Sequence, residues 1–398
     1  MFKHRSFVLF CTKMNDLDLL QPARSRIISG LIQLLYPRFG CKKLQLFNDA
    51  HRLGLMKNLT LQLSIGLITM LPLSIKAELI VLASPQSHDK YYSKVIDDIF
   101  DFHVDYAKKI IQHGDNVVIL TDQKLYPDYV KALGKQHVAI APMQDIWMRD
   151  FSSANPNQPI LFRYTAAGQG GGKKAQAISD DVQADFKAYS QKAGLQFIQT
   201  PLLNDGGNWV EDGYGNVVIS TKFLSDNHLS ETAARQKLIQ LTSAKHIAFI
   251  EADEQGGLEH ADGVVSFIEK ETVVINSYPE DLDYSKQLKA DLQRGIPNIK
   301  IHEIVTPYDG SQIYDEKFGS ACGLYTNMLV TPERIYFPQF GIKQDAVALQ
   351  QIRRLTKRTV IPVQSAQVCK MGGGVRCMSW QLRGKNAELM SKFLIKAP

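Results

Sequence analysis

Near the C-terminus, Met371-Gly-Gly-Gly-Val-Arg-Cys377 places a single cysteine just after a run of glycines. Glycines let backbone amides approach a reactant and lower the pKa of a nearby thiol, so Cys377 has the setting of a nucleophile. His260-Ala-Asp262 offers an imidazole and a carboxylate two residues apart. On an extended strand both would face one side and address one ligand. Asp145-Ile-Trp147-Met-Arg149-Asp150 packs an aromatic ring, a guanidinium and two carboxylates into six residues. With Arg149 held elsewhere, Asp150 is available to a cation. Asn204-Asp205-Gly206-Gly207-Asn208-Trp209 has the Asp-Gly chemistry of a hairpin turn. Taken singly, each has an ordinary structural explanation: a bridged cysteine, a satisfied histidine, a salt-bridged turn, a hairpin. Together they match one substrate type. A planar guanidinium is held by carboxylates in forked geometry, its carbon accepts attack by a thiolate, and an imidazole protonates the departing amine.

These residues are far apart in sequence, so the elements between them must bring them together. From Glu78 the chain alternates short β-rich runs (Ile80–Leu82, Val117–Leu120) with amphipathic helices, the first carrying Ile96, Ile99, Phe100, Val104, Ala107 and Ile111 and stopping at Gly114. This is α/β patterning. In the C-terminal half one order recurs: a polar residue at a turn, two short strands, a helix and a further strand. His260 leads Val264–Ile268, Thr272–Ile275, a helix from about Tyr284 to Arg294, and Ile299–Ile304. Asp205 and Asn327 lead similar copies, with helices at about Glu231–Leu241 and Asp345–Leu355. The leading residues Asp205, His260, Asn327 and Cys377 are spaced by 55, 67 and 50. A repeat of this period predicts a propeller or other closed array, whose leading turns, with Asp150, converge at one mouth. The cluster Gly168–Gly172 lacks the Lys-Ser/Thr of a phosphate-binding loop and no apolar helix follows it, so it reads as a mobile loop able to cover that mouth.

Six motifs in order, Trp-x-Arg-Asp, Asp-Gly-Gly-Asn, His-x-Asp, Tyr325-x-Asn327, Pro338-Gln-Phe-Gly341 and Gly-Gly-Gly-x-x-Cys, resemble the agmatine deiminase and bacterial-type peptidylarginine deiminase family over essentially Glu78–Gln381. The resemblance implies a pentein, a five-bladed pseudo-symmetric α/β propeller built from ββαβ modules. It implies that Cys377 attacks the guanidinium carbon to give a thiouronium intermediate, and that His260 protonates the leaving amine and then activates water. Asp150 and Asp262 would hold the two guanidinium edges, with Trp147, Arg149, Asp205 and Asn327 completing the substrate-binding set and no cofactor or metal required. Asp205 stands where the family usually has a glutamate that orients the histidine. Two departures, Phe151-Ser-Ser after Asp150 and Arg376 in place of a histidine before the cysteine, leave agmatine, free arginine and peptidyl-arginine all open as substrates.

The net charge of +6 over 398 residues does not signal a nucleic-acid partner. Residues 1–77 hold 11 of the 46 Lys+Arg and 3 of the 40 Asp+Glu, which leaves 35 basic against 37 acidic residues in the body. Met56-Lys57, an apolar run from Leu59 to Leu73 and Ser74-Ile-Lys-Ala77 have the layout of a signal peptide, and a run of 15 residues is short of a spanning helix. The expected organisation is an upstream extension (1–55), a signal peptide (56–77) and one catalytic domain (78–398), exported after cleavage near Ala77 and without a stable membrane anchor. In an oxidising compartment the three remaining cysteines allow a Cys322–Cys369 bridge with Cys377 reduced. Two other readings are a zinc hydrolase using His260, Asp262, Asp205 and Cys377, and a catalytically silent binding module.

Overall fold

Leu79–Ala83 is a run of five apolar residues, all buried, as expected of a strand covered on both faces; it is β1 in a computed structural model that describes residues 78–253 and 257–396. The expected extension and signal peptide lie outside the described residues. Helix α1 (Ile96–Gln112) buries Ile99, Phe102, His103, Tyr106, Ala107 and Ile110, a stripe with the three-and-four spacing of a helix lying on a sheet. Gly114, at φ +84°, ends it and turns the chain into β2 (Asn116–Thr121), parallel to β1. Side chains alternate across β1: Ile80 and Leu82 pack with Ile99, Phe102 and Tyr106, while Leu79, Val81 and Ala83 join a second core that contains Phe186 and Trp380.

The chain continues through α2 (Tyr126–Leu133), β3 (Val138–Ile140), the single-turn α3 (Met148–Phe151), β4 (Ile160–Arg163), α4 (Gly172–Lys192) and β5 (Ile198–Leu203). Next come β6 (Val210–Glu211), β7 (Asn216–Ser220), α5 (Lys222–Asp226), α6 (Glu231–Leu241) and β8 (His246–Ile250), then β9 (Val265–Glu269), β10 (Thr272–Asn276), α7 (Leu282–Gly295) and β11 (Lys300–Ile304). The last elements are β12 (Leu329–Val330), β13 (Arg334–Gln339), α8 (Gln344–Leu355), β14 (Thr359–Gln364), β15 (Trp380–Leu382) and α9 (Gly384–Lys396). Helices α6 and α7 begin where Ser230 and Asp281 accept hydrogen bonds from the amides of Ala233 and Tyr284.

The strands form mixed sheets with one recurrent order: an antiparallel pair, then a helix, then a parallel third strand. β6–β7–β8, β9–β10–β11 and β12–β13–β14 follow it. β4 and β5 pair in parallel, with a single antiparallel bridge from Ala154 to Ile160 standing for the missing first strand. The remaining sheet, β15–β1–β2–β3, takes its first strand from the end of the chain: β15 pairs antiparallel with β1, and Glu78 binds Arg383 and Gln381 across the join. The Cys377 module is therefore completed by the first described strands.

Three local expectations are corrected. His260 and Asp262 do not share a strand: Asp262 lies in a 3-10 turn, Ala261–Gly263, just before β9, and His260 is the extended residue that leads into it. Asn204–Trp209 is not a hairpin: Gly206–Asn208 is also a 3-10 turn, carrying the chain from β5 into a different sheet, and the hairpin is the next turn, between β6 and β7. A helix does follow the glycine cluster at once. α4 buries only a sparse stripe (Ala175, Ser179, Val182, Gln183, Phe186, Ser190), too polar to register as an apolar pattern.

Candidate active site

The turns ahead of the sheets deliver these groups to one region. Asp150 comes from α3, Asp205 from the turn before β6, His260 and Asp262 from the turn before β9, Asn327 from ahead of β12, and Cys377 from ahead of β15. Trp147, Asp150, His260, Asp262, Asn327 and Cys377 line one cavity of about 660 Å³, within the range of small-molecule sites. Local backbone chemistry permits this convergence. A Cβ on Gly207 would fall 2.6 Å from His260 Nδ1 and 2.8 Å from Asp150 Oδ1, and one on Gly373 would fall 2.4 Å from the Trp147 ring, so only glycine fits at either position.

Cys377 is a buried free thiol, whereas Cys322 and Cys369 are joined in a disulfide. Asn327 Nδ2 donates to Cys377 Sγ at 3.0 Å, and Asp262 Oδ2 lies 4.0 Å from the sulfur. Burial, then Asp262 and Asp150, push the thiol pKa well up, against smaller opposing effects from Asn327 and the Gly374 amide. His260 is held from two sides: its Nε2 meets Asp205 Oδ2 at 2.9 Å, and its Nδ1 is 3.7 Å from Asp150 Oδ1. Burial works against its charge, but Asp150, Asp205 and Asp262 together outweigh burial and raise the imidazole pKa to about 10. Asp150 accepts from the Gly207 amide at 3.0 Å. Its pKa is pushed up by burial and partly restored by His260. With burial opposing ionisation of the thiol and carboxylates gathered around the His260 imidazole, the cavity is electrostatically suited to a cation.

Two members of the expected substrate-binding set are placed otherwise. Arg149 does not line the cavity. Its Nη2 donates to Gln381 at 3.0 Å, and the side chain faces a separate cavity of about 270 Å³. A guanidinium among the substrate-facing groups would repel a cationic ligand, so the displacement has a clear electrostatic sense. Asp205 does not line the cavity either; it accepts from the Thr165 amide at 2.8 Å and from Thr165 Oγ1 at 2.9 Å, and acts on His260. The shorter carboxylate reaches the imidazole because Thr165 fixes it from behind. Thr165 carried no motif and was invisible in the sequence, whereas Arg376, noted there only as a departure, donates through Nε to Asp262 Oδ2 at 3.0 Å. Among the described residues, no three His, Cys, Asp or Glu side chains converge as a metal ion would require.

No Lys or Arg is among the described residues lining the cavity. Beyond the inner carboxylates its wall carries Glu251, Asp253 and Asp281 with Tyr278 and Tyr284. The loop reading of the glycine cluster is partly realised: Gly168 lines the wall, and Gly170–Gly172, all at positive φ, lead into α4.

The mixed α/β fold has counterparts of known structure. The agmatine deiminase of Enterococcus faecalis superposes with a TM-score of 0.64 at 17% identity, covering 78% of this chain and 94% of that one. A Cys-to-Ser form of the C. jejuni agmatine deiminase with substrate bound gives 0.62 at 17% identity, with the same coverage. A Lactococcus lactis protein provisionally named an agmatine deiminase is 25% identical over 208 residues, which are 44% of this chain. The chain spans 56% of that relative's length. The family model for Porphyromonas-type peptidyl-arginine deiminase matches residues 73–382, and the chain belongs to that family.

Proposed function

We propose that the protein hydrolyses a guanidinium group to a ureido group and ammonia, with Cys377 as nucleophile. The observation that carries this reading is the confluence of Cys377, His260, Asp150 and Asp262 in one buried, acid-rich cavity. A bound guanidinium contributes the missing positive charge. Beside Asp150 and Asp262 it offsets the two carboxylates that oppose ionisation of the thiol, and so favours the thiolate where it is needed, the thiol proton passing to solvent. Sγ then bonds to the guanidinium carbon; the C–N bond to a terminal nitrogen breaks as His260 gives up its proton, and ammonia leaves a thiouronium. His260, now neutral, takes a proton from water; the hydroxyl oxygen bonds to carbon, the C–S bond breaks, that oxygen's remaining proton passes to the departing sulfur to restore the thiol, and the ureido product departs. These steps require no group beyond the chain's own side chains and water. The carboxylates fix the carbon close to sulfur, which lowers the barrier by orientation.

The wall also supports a choice among guanidines. With carboxylates and tyrosines at its outer part and no described Lys or Arg, the cavity favours a tail that is neutral or cationic over one ending in a carboxylate. Agmatine, the substrate class named for the structural neighbours, fits better than free arginine. The cavity's volume of about 660 Å³ favours a second reading, an arginine side chain carried on a peptide, which also presents no free carboxylate near the guanidinium. The repeated strand order supports a closed ring of five ββαβ modules around this cavity, and the leader supports export with cleavage near Ala77.

The test is ammonia release from agmatine, free arginine and an arginine-containing peptide, with wild type and Cys377→Ser side by side. Agmatine or the peptide should exceed free arginine by at least about tenfold, and the serine variant should release none. Preference for free arginine would overturn the substrate reading, and an active serine variant the mechanism.

A further inference from the structure

Arg376 is the residue immediately before the nucleophile, and it touches both groups that flank the sulfur. Its backbone N–H donates to Asn327 Oδ1 at 3.3 Å, while Asn327 Nδ2 donates to Cys377 Sγ. Its Nε donates to Asp262 Oδ2 at 3.0 Å, and Nη2 to the Trp209 carbonyl at 2.8 Å. The oxygen that Arg376 takes is the one 4.0 Å from Cys377 Sγ, so Arg376 binds Asp262 on the edge facing the sulfur. Arg376 itself lines the smaller cavity, not the larger one, so its charge acts on the site without contacting a ligand.

Resting on the deiminase reading, we infer that Arg376 is a positioning residue that tunes the nucleophile through Asp262. It works as a permanent internal guanidinium: it occupies one oxygen of Asp262, offsets that carboxylate's charge against the sulfur, and leaves the other oxygen to the substrate's guanidinium. A carboxylate 4 Å from a thiol in a buried site strongly opposes ionisation unless a cation stands behind it. The same pairing holds Asp262 in one orientation before the substrate arrives. The alternative is a purely structural tie between the turn before β15 and the strand that follows Trp209.

The two are separated by the rate at which iodoacetamide alkylates Cys377 in the free enzyme, followed from pH 6 to 11. In Arg376→Gln the curve should move up by about one pH unit, so that the rate at pH 8 falls about tenfold, with a fall in kcat. Arg376→Lys, which keeps the charge but loses the fork, should retain the alkylation curve while KM rises. A folded Arg376→Gln variant whose curve coincides with that of wild type, with only a lower Tm, would overturn the proposal. Should the glutamine variant fail to fold, Arg376→His, read above pH 8 where the imidazole is neutral, takes its place with the same expected displacement, and an unmoved curve there is equally decisive. Because alkylation needs no substrate, the result stands apart from the substrate tests; wild-type protein that releases ammonia from no guanidine would refute the reaction and leave this readout interpretable.

Discussion

Asp205→Asn removes one charge from the imidazole and very little else. Asp205 is 2% exposed and makes three contacts: the Thr165 amide, the Thr165 hydroxyl and His260 Nε2 at 2.9 Å. An asparagine can keep its oxygen on the Thr165 amide, but its NH₂ then faces His260 Nε2. That NH₂ opposes a donor with a donor, so the imidazolium loses both its hydrogen bond and its closest counter-charge. At 2.9 Å and an effective dielectric of 20, the lost attraction is about 6 kcal/mol before the cost of burying both charges is subtracted. Asp150 and Asp262 remain, so the pKa of about 10 should drop by roughly one to two pH units rather than return to its ordinary value. The alkaline limb of ammonia release should move down by that amount, and kcat should fall about 10³-fold, comparable to losing the orienting carboxylate of a catalytic triad.

Stability supplies a second readout with a definite sign. A histidine whose folded-state pKa is raised contributes stability that is complete below its unfolded pKa of about 6.5, and that contribution disappears as pH rises through about 10. The Tm difference between wild type and Asp205→Asn should therefore be largest near pH 6 and should shrink toward pH 10. An alkaline limb that does not move, together with a Tm difference independent of pH, would refute the claim that Asp205 acts through the charge of His260.

Asn327→Ala deletes the donor on Sγ and should lower kcat roughly 10- to 100-fold with a modest change in KM, measured by steady-state ammonia release. Gly207→Ala forces a methyl group against His260 and Asp150; kcat/KM should fall at least about a hundredfold, while overpacking costs about 1–3 kcal/mol in chemical denaturation. Reduction of Cys322–Cys369, which closes a loop of 47 residues between two segments that border the cavity, should lower the unfolding free energy by up to about 4 kcal/mol in matched denaturant titrations with and without reductant.

The sequence was most informative where one chemical demand dominates. Glu231–Leu241 has the expected bounds because a helix capped by Ser230 leaves little freedom at its start. Cys377, His260, Asp262, Asp150 and Asn327 do share a cavity, and Cys322 does pair with Cys369. Legibility failed where tertiary contacts decide. His-Ala-Asp looks like a strand because the alternating spacing is right, yet a 3-10 turn also brings both residues to one cavity. Arg149 looked like part of the site because it adjoins Asp150, but on a four-residue helix neighbours point in different directions, and Gln381 from the far end of the chain captures it. Thr165 and the acidic outer wall belong to no motif, because their roles come from elements that approach only in three dimensions.

The join of β15 to β1 gives biosynthesis a bearing on the chemistry. The strand after the nucleophile finds its partner at the opposite end of the described residues, so the segment that seats Cys377 is anchored only once β15 has emerged and met β1. A molecule cut ahead of Cys377 would carry the carboxylates and the imidazole but no sulfur to set among them, and reactivity would wait on the joining of β15 to β1.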